Sequence, residues 1–83
     1  MLKSNIDMNI ILKKQVGKNI RLLRIKNKYT QEQLSAKMQV SGCDVTRSAL
    51  AKIEAGQRHL YIDELKAIKE ILKVSYEELL CIK

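Results

Sequence analysis

Hydrophobic residues recur every three or four positions along most of the chain, which is the spacing that places them on one face of an α-helix. The first such segment runs from about Asn9 to Lys28. Its recurring positions are Leu12, Val16, Ile20 and Leu23. No segment alternates apolar and polar residues for long enough to predict a strand. The pattern therefore predicts an all-α chain of five helices.

Capping residues and glycines indicate where the second and third helices begin and end. Thr30 and Gln33 stand three residues apart, so that a hydroxyl and an amide can form a capping box at the start of the second helix. Gly42 is expected to end this helix in the left-handed conformation. Thr46 is a good N-cap for the third helix, which is expected to end before Gly56.

The last two helices are predicted from the same signals. The fourth covers roughly Ile62 to Leu72, where apolar residues again recur at helical spacing. Ser75 and Glu78 form a further capping box, which opens a fifth helix from Tyr76 to about Cys81.

The charge of the chain is strongly basic and unevenly placed. Sixteen Lys and Arg residues against nine Asp and Glu residues give a formal net charge of +7 at pH 7. Residues 1–59 hold 12 basic and 4 acidic side chains, whereas residues 60–83 hold 4 basic and 5 acidic ones. This asymmetry favours a polyanion such as nucleic acid as the partner. The alternative is a solvated basic face without a partner.

The predicted third helix has two different faces when residues 47–55 are placed at about 100° per residue. Ala49, Leu50 and Ile53 lie on one side, which predicts a core-facing stripe. The opposite side combines small residues with long cations and comprises Arg47, Ser48, Ala51, Lys52 and Ala55. The DNA major groove admits an α-helix of this kind, and Arg or Lys can donate to guanine O6 and N7 there. The alternative is an ordinary amphipathic helix with solvated charges.

Four segments, in their order and spacing, resemble the helix-turn-helix domains of the phage-repressor and Cro type, also called the XRE family. They are G-K-N-I-R-L-L-R from Gly17, T-Q-E-Q-L-S from Thr30, T-R-S-A-L-A-K-I-E-A-G-Q-R from Thr46 and L-K-A-I-K-E-I-L-K-V-S from Leu65. The resemblance spans Val16 to Leu80, about four fifths of the chain. It implies a lambda-repressor-like bundle of five helices, whose third helix enters the major groove while the second crosses the DNA backbone above it.

The same resemblance implies which side chains contact DNA. It carries over Arg47, Ser48 and Lys52 as the expected base readers. Ala51 joins them because it lies on the same face of the helix, where its methyl group could meet a thymine methyl. Gln31 matches the position that holds a phosphate through its amide and the helix N-terminus. Arg58, Lys28 and Lys37 are expected to contact the DNA backbone as well. Phosphate contacts position such a protein, while base contacts specify the sequence.

Two charged residues have a structural rather than a DNA-binding interpretation. Arg24 and Glu54 lie at the edges of the apolar stripes of the first and third helices. The resemblance implies that they form an ion pair, which ties the first helix to the recognition helix. Because a partly buried carboxylate without a partner is costly, Glu54 is expected to be structural and not a catalytic acid.

The chain departs from the family pattern at two places. The connection between the second and third helices, Gln39 to Val45, is longer than the usual tight turn. Either the second helix gains a turn through about Ser41, or a loop bulges near the DNA. In addition, the proline that usually follows the third helix is absent, and His59-Leu60 stands in its place.

A second apolar stripe on the first helix consists of Ile11, Leu22 and Ile25. One interpretation is that the chain itself covers it, through the N-terminal segment with Ile6 or through the last helix. The apolar residues of that last helix are Leu79, Leu80 and Ile82. The other interpretation is a homodimer surface, since an apolar surface of this kind is unfavourable when bare.

No other chemistry is predicted from the sequence. Cys43 and Cys81 have no metal-like spacing, and His59 is the only histidine, so no metal, cofactor or enzymatic activity is expected. The N-terminus does not resemble a signal peptide, and no apolar run approaches a transmembrane length. These features favour a cytoplasmic protein without a membrane partner.

The resulting prediction is one domain over residues 1–83, with a family-like core at about 16–80 and residues 1–15 as an N-terminal extension and the start of the first helix. It is expected to bind double-stranded DNA at a pseudo-palindromic operator, as a homodimeric transcriptional repressor of phage or mobile-element type. The alternatives are an antitoxin of a toxin-antitoxin pair, which also has a protein partner, and a protein-interaction module on the same fold.

Overall fold

Five α-helices joined by short connections make up the described part of the chain, which comprises residues 8–81, with side chains from residue 12 onward, in this computed structural model. The helices are α1 Met8–Lys26, α2 Gln31–Val40, α3 Arg47–Glu54, α4 Ile62–Leu72 and α5 Tyr76–Leu80. The predicted all-α, five-helix architecture is confirmed, and within residues 8–81 no strand is present.

The helices enclose a single aliphatic core. α1 packs against α3 and α5, and α2 packs against α3 and α4. The buried hydrophobic residues are Ile20, Leu34, Met38, Val45, Leu50, Ile53, Ala67, Ile68, Leu72 and Leu79. Every helix contributes to this set, so the burial of these side chains from water holds all five helices together.

The apolar stripe of α1 is buried along only part of its length. Ile20 is fully buried, and Val16 and Leu23 pack at the edge of the core. Leu12, however, is 38% exposed, so this end of the stripe is only partly covered by the bundle. α1 meets the end of α3 at Lys14, which lies against Gly56. Leu12 precedes that contact and therefore has less of the bundle to pack against.

The C-terminus of α1 lies two residues before the predicted end at Lys28. Lys28 has a φ of +63°, in the left-handed region. Its N–H donates to the carbonyl of Ile25 (2.9 Å), and the N–H of Tyr29 donates to the carbonyl of Arg24 (3.1 Å). These two bonds form the Schellman termination. The prediction missed it because glycine or asparagine usually signals this conformation, and lysine does not.

The connection between α2 and α3 follows the first of the two expected alternatives. α2 continues to Val40, and Ser41 is its C-cap. Gly42 then has a φ of +94°, as predicted for a residue that ends a helix in the left-handed conformation. The extra length is therefore mostly helix.

After this extra turn, and before α3 begins, the chain contacts α2 again at Val45. Val45 is completely buried. Its carbonyl accepts hydrogen bonds from Ser35 Oγ (2.6 Å) and Gln39 Nε2 (3.1 Å). Thr46, the N-cap of α3, follows immediately. The start of α3 is thus attached to α2 through a satisfied buried carbonyl, and no loop bulges away from the bundle.

A buried asparagine that the hydrophobic pattern did not single out joins α1 to α5. Asn19 is 8% exposed, and its Nδ2 donates to the carbonyls of Leu79 (2.9 Å) and Cys81 (2.8 Å). The last carbonyls of a helix lack partners within the helix, so Asn19 caps α5 from the side. Its position three residues after Val16 and four before Leu23 was the available sign that it faces inward.

Candidate nucleic-acid interface

The two faces of α3 lie as its sequence predicts, one against the core and one exposed. Leu50 and Ile53 are buried in the core, and Thr46 Oγ1 accepts a hydrogen bond from the N–H of Ala49 (3.1 Å). On the opposite face, Arg47, Ser48, Lys52 and Ala55 are exposed and Ala51 is half-buried. The outer surface of α3 thus has small side chains between two long cations. A helix with such a surface can come close to the floor of a DNA groove.

An open cleft lies where the first turns of α2 and α3 meet. Its lining residues are Arg24, Tyr29, Thr30, Gln31, Glu32 and Arg47. The capping box of α2 is formed, since Thr30 Oγ1 accepts from the N–H of Gln33 (3.0 Å). The N–H groups of Gln31 and Glu32 come before the first intrahelical bonds. These N–H groups and the positive charge of Arg47 favour an anion in this cleft. Glu32, which opposes them, is the single acidic residue among these lining residues.

Glu54 accepts hydrogen bonds from both neighbouring helices. Arg24 donates through Nε to Oε2 (2.6 Å) and through Nη2 to Oε1 (3.0 Å). Gln31 Nε2 also donates to Oε1 (3.0 Å). The remaining Arg24 nitrogen, Nη1, donates to the carbonyl of Tyr29 (2.9 Å). The side chains of Arg24 and Glu54 are only 9% and 3% exposed, so the ion pair that joins α1 to α3 is largely shielded from water.

The structure therefore brings Arg24 and Glu54 together as a bidentate pair, the strong form of a charge-assisted hydrogen bond. The bond from Gln31 to the same carboxylate was not predicted. The two residues are 23 positions apart and on different helices. Helical periodicity cannot relate such residues, because it relates only positions on one helix.

Arg58 is engaged with a carboxylate of the same chain. Its Nη1 and Nη2 donate to Glu64 Oε1 (2.9 Å) and Oε2 (3.1 Å). Nη1 also donates to the carbonyl of His59 (2.8 Å). The guanidinium carbon lies 5.8 Å from the centroid of the Tyr61 ring. Arg58 thus connects the segment after α3 to the first turn of α4.

Sequence reasoning missed this ion pair, although Glu64 was visible in the first turn of α4. Glu64 is 7% exposed, and its Oε1 accepts a hydrogen bond (3.1 Å) from the N–H of Tyr61, the N-cap residue of α4. The spacing of Tyr61 and Glu64 was the available signal, since a glutamate three residues after an N-cap reaches back to its N–H.

Replacement of Glu64 by glutamine should lower stability near neutral pH, and the loss should shrink in acid. Hydrogen bonds from Arg58 hold the pKa of Glu64 below its ordinary value, although burial partly opposes them. A carboxyl with a lowered folded-state pKa stabilises the fold above its unfolded pKa of about 4.3, and that contribution is lost as the pH falls through the folded value.

Urea unfolding of both proteins at about pH 7, 5 and 3 measures this difference. The control is Glu70→Gln, which changes an exposed glutamate of α4 and should show little difference at any of these pH values. A stability gap between Glu64→Gln and the unchanged protein that stayed constant down to the lowest pH would contradict the assignment.

The two lysines expected at the DNA backbone lie in different surroundings. Lys28 is exposed at the left-handed position that ends α1. Lys37 Nζ lies 5.9 Å from the centroid of the Tyr29 ring and lines a separate groove with residues of α4 that include Glu70. The structure therefore does not place Lys37 in the cleft that Gln31 and Arg47 line.

The two cysteines are free thiols and show no sign of a reactive site. Cys43 is half-buried, and its Sγ lies 3.6 Å from the carbonyl oxygen of Asp63. Burial raises the pKa of the Cys43 thiol, and the negative charges of Asp63 and Glu64 raise it further. A thiol is nucleophilic only as the thiolate, so this environment disfavours redox sensing by Cys43.

Two other kinds of site are absent from the described residues. Between residues 8 and 81, no group of three or more His, Cys, Asp and Glu side chains is arranged to hold a metal ion. In the same part of the chain, each helix is too short or too polar to cross a lipid bilayer.

Comparison with known proteins places the chain in a family. A family model described as a helix-turn-helix domain matches residues 17–81, which include the second half of α1 and all of α2 to α5. The resemblance to XRE-type helix-turn-helix domains is thereby confirmed. No curated protein and no solved structure matches the chain.

Proposed function

The chain belongs to the helix-turn-helix family of XRE-type DNA-binding domains, and from that membership we propose that it is a sequence-specific transcriptional repressor of phage or mobile-element type. DNA binding and transcription regulation follow from the family. The outer face of α3 carries the more specific proposal, because it combines exposed cations with small side chains on a helix whose other face is firmly anchored.

The proposed base readers are the four outward residues of α3: Arg47, Ser48, Ala51 and Lys52. Arg and Lys form hydrogen bonds with guanine O6 and N7, serine donates or accepts, and an alanine methyl group meets the methyl group of thymine. Each good base contact contributes about 1–3 kcal/mol of discrimination against the wrong base.

The proposed backbone contacts come from residues outside α3. Gln31 would hold a phosphate with its amide and the N-terminus of α2, in the cleft that Arg47 also lines. Lys28 and Lys37 would add positive charge at the surface. Arg58 has five N–H donors, of which the bonds to Glu64 and His59 use three. It could therefore contact a phosphate through the others without leaving Glu64.

We further propose that the protein binds DNA as a homodimer. Leu22 and Ile25 of α1 are 51% and 48% exposed, and Tyr76 and Leu80 of α5 are 41% and 44% exposed. α5 therefore leaves the second stripe largely uncovered, since its Leu79 is directed into the core. The side chains of Ile6, Ile11 and Ile82 lie outside the described residues. A two-fold dimer presents two recognition helices to half-sites about 34 Å apart.

Selection of bound duplexes from a random DNA pool, followed by salt titration of the selected site, tests the proposal. We expect a pseudo-palindrome and a log–log salt slope of about −0.9 for each phosphate neutralised. Arg47→Ala and Lys52→Ala should relax the preference at particular base pairs and cost about 1–3 kcal/mol each. Lys28→Ala should instead weaken binding to all sequences alike.

Two outcomes of this experiment would overturn the proposal in different ways. Absence of any salt-sensitive complex would favour a protein-interaction module on the same fold. If Arg47→Ala and Lys28→Ala changed binding identically on every sequence, the division into base readers and backbone contacts would be wrong. A separate co-purification experiment that recovers a protein partner together with operator binding would favour the antitoxin alternative.

A further inference from the structure

We propose that Glu54 is a positioning residue for DNA binding, which acts by fixing the orientation of the Gln31 side-chain amide. This inference rests on the proposed role of Gln31 at a DNA phosphate. It assigns to the buried carboxylate a second task beside the ion pair with Arg24. The observation that carries it is the hydrogen bond of 3.0 Å from Gln31 Nε2 to Glu54 Oε1.

The chemistry of Glu54 decides which end of the amide faces it. An ionised carboxylate only accepts hydrogen bonds, whereas a glutamine amide has a donor end and an acceptor end. Only the NH₂ end of Gln31 can therefore bond to Glu54. Without such a partner, the two ends could exchange by rotation of the last side-chain bond, which has a broad and roughly two-fold torsional preference.

The orientation matters because a phosphate is also only an acceptor. Once one N–H of Gln31 is held by Glu54, the second N–H is left to donate elsewhere, and Gln31 lines the same cleft as Arg47. A rotated amide would place its carbonyl oxygen there and repel a phosphate. Glu54 thereby keeps a donor ready for the phosphate before DNA arrives, which lowers the ordering cost of binding.

Glu54 is itself held rigidly enough to act in this way. Arg24 donates to both of its oxygens, at 2.6 Å and 3.0 Å, and the Glu54 side chain is 3% exposed. A carboxylate held at both oxygens cannot turn to follow a mobile partner. The position of Gln31 is therefore set relative to α3, the helix that carries the proposed base readers.

A double-mutant cycle separates positioning from simple support of the fold. The four proteins are the unchanged chain, Glu54→Gln, Gln31→Ala and the double variant. Their affinities are measured on the duplex that the unchanged protein selects from a random pool, at one salt concentration and at a temperature where circular dichroism shows each to be folded. Loss of a hydrogen bond to a charged group corresponds to about ten-fold in affinity. We expect Glu54→Gln and Gln31→Ala each to weaken binding by about that factor.

The double variant gives the decisive comparison. If Glu54 acts through Gln31, Glu54→Gln should cause almost no further loss once Gln31 is alanine, because no amide is left to orient. An equal loss in both backgrounds would overturn the proposal and leave Glu54 as a brace only. Removal of a negative charge strengthens DNA binding in general, but this effect is the same in both backgrounds and cancels. Glu70→Gln, at an exposed site on α4, provides the matched charge control.

A measurement on the unchanged protein avoids any dependence on the folding of the variants. In a nitrogen-15 proton spectrum, the two Nε2 protons of Gln31 should have widely separated shifts, and DNA should move mainly one of them. A separation of the two shifts no larger than that of a free, solvated glutamine side chain would overturn the positioning role. If the unchanged protein binds no DNA at all, the proposed function itself fails, and that result is visible before any variant is made.

Discussion

Replacement of Gly17 by alanine is expected to destabilise the fold by about 3 kcal/mol, although alanine is ordinarily the better residue inside a helix. At an exposed helical site the same change would stabilise by up to about 1 kcal/mol. The sign reverses here because α1 crosses the end of α3 at Gly17. A Cβ atom at this position would lie 2.4 Å from the carbonyl oxygen of Ile53 and 2.6 Å from that of Glu54.

The three nearest atoms that a Cβ would meet all belong to the backbone of α3, so no side chain can rotate to relieve the overlap. The two helices would have to separate, and the bond from Arg24 to Glu54 spans the same junction. For a domain whose whole stability is on the order of 5–10 kcal/mol, such a loss is a large fraction. The expected decrease in melting temperature is roughly 12–24 °C.

Thermal unfolding followed by circular dichroism measures this effect. Lys18→Ala, a change at the next position of α1 with an exposed side chain, is the matched control and should stay within about 0.5 kcal/mol of the unchanged protein. A melting temperature of Gly17→Ala equal to or above that of the unchanged protein would show that the helices do not approach as closely as described.

Replacement of Glu54 by alanine is the second change with a large expected effect. It would leave Arg24, whose side chain is 9% exposed, as a buried cation without its carboxylate. Removal of one member of a buried ion pair costs about 3–5 kcal/mol, because the remaining charge is uncompensated. Gln31 would also lose its acceptor, which adds a smaller cost.

Urea unfolding of Glu54→Ala against Glu70→Ala, an exposed glutamate in α4, tests this expectation. The control should change stability by no more than about 0.5 kcal/mol. A double replacement, Arg24→Met with Glu54→Leu, should recover much of the loss, since apolar residues of similar volume often replace a buried pair without cost. An unchanged unfolding midpoint for Glu54→Ala would contradict the brace.

Local sequence signals were sufficient to predict most of the architecture. Thr30, Thr46 and Ser75 begin helices where their hydroxyls predicted, because capping depends on residues only three positions apart. Gly42 ends α2 for an equally local reason. Lys28 adopts the left-handed conformation, which lysine rarely does, so no local signal marks the end of α1. The predicted C-terminus of α1 is therefore displaced from the observed one.

The residues of the candidate site could be predicted from the sequence, but two of their contacts could not. The outward face of α3 follows from periodicity alone, and the pairing of Arg24 with Glu54 followed from the family resemblance. The bonds of Gln31 to Glu54 and of Arg58 to Glu64 cross between segments. Which partner a long polar side chain reaches depends on the packing angle between helices, and the order of residues in one chain does not contain that angle directly.

The connection between α2 and α3 is anchored to α2 at both ends, and this affects which insertions and deletions the domain can tolerate during evolution. The chain leaves α2 at Val40 and is anchored to it again where the carbonyl of Val45 meets Ser35. Insertions or deletions between these points would lengthen or shorten an excursion whose two ends stay together. Val40 is 89% exposed, so changes at the outer end of this excursion should leave the start of α3 in its place.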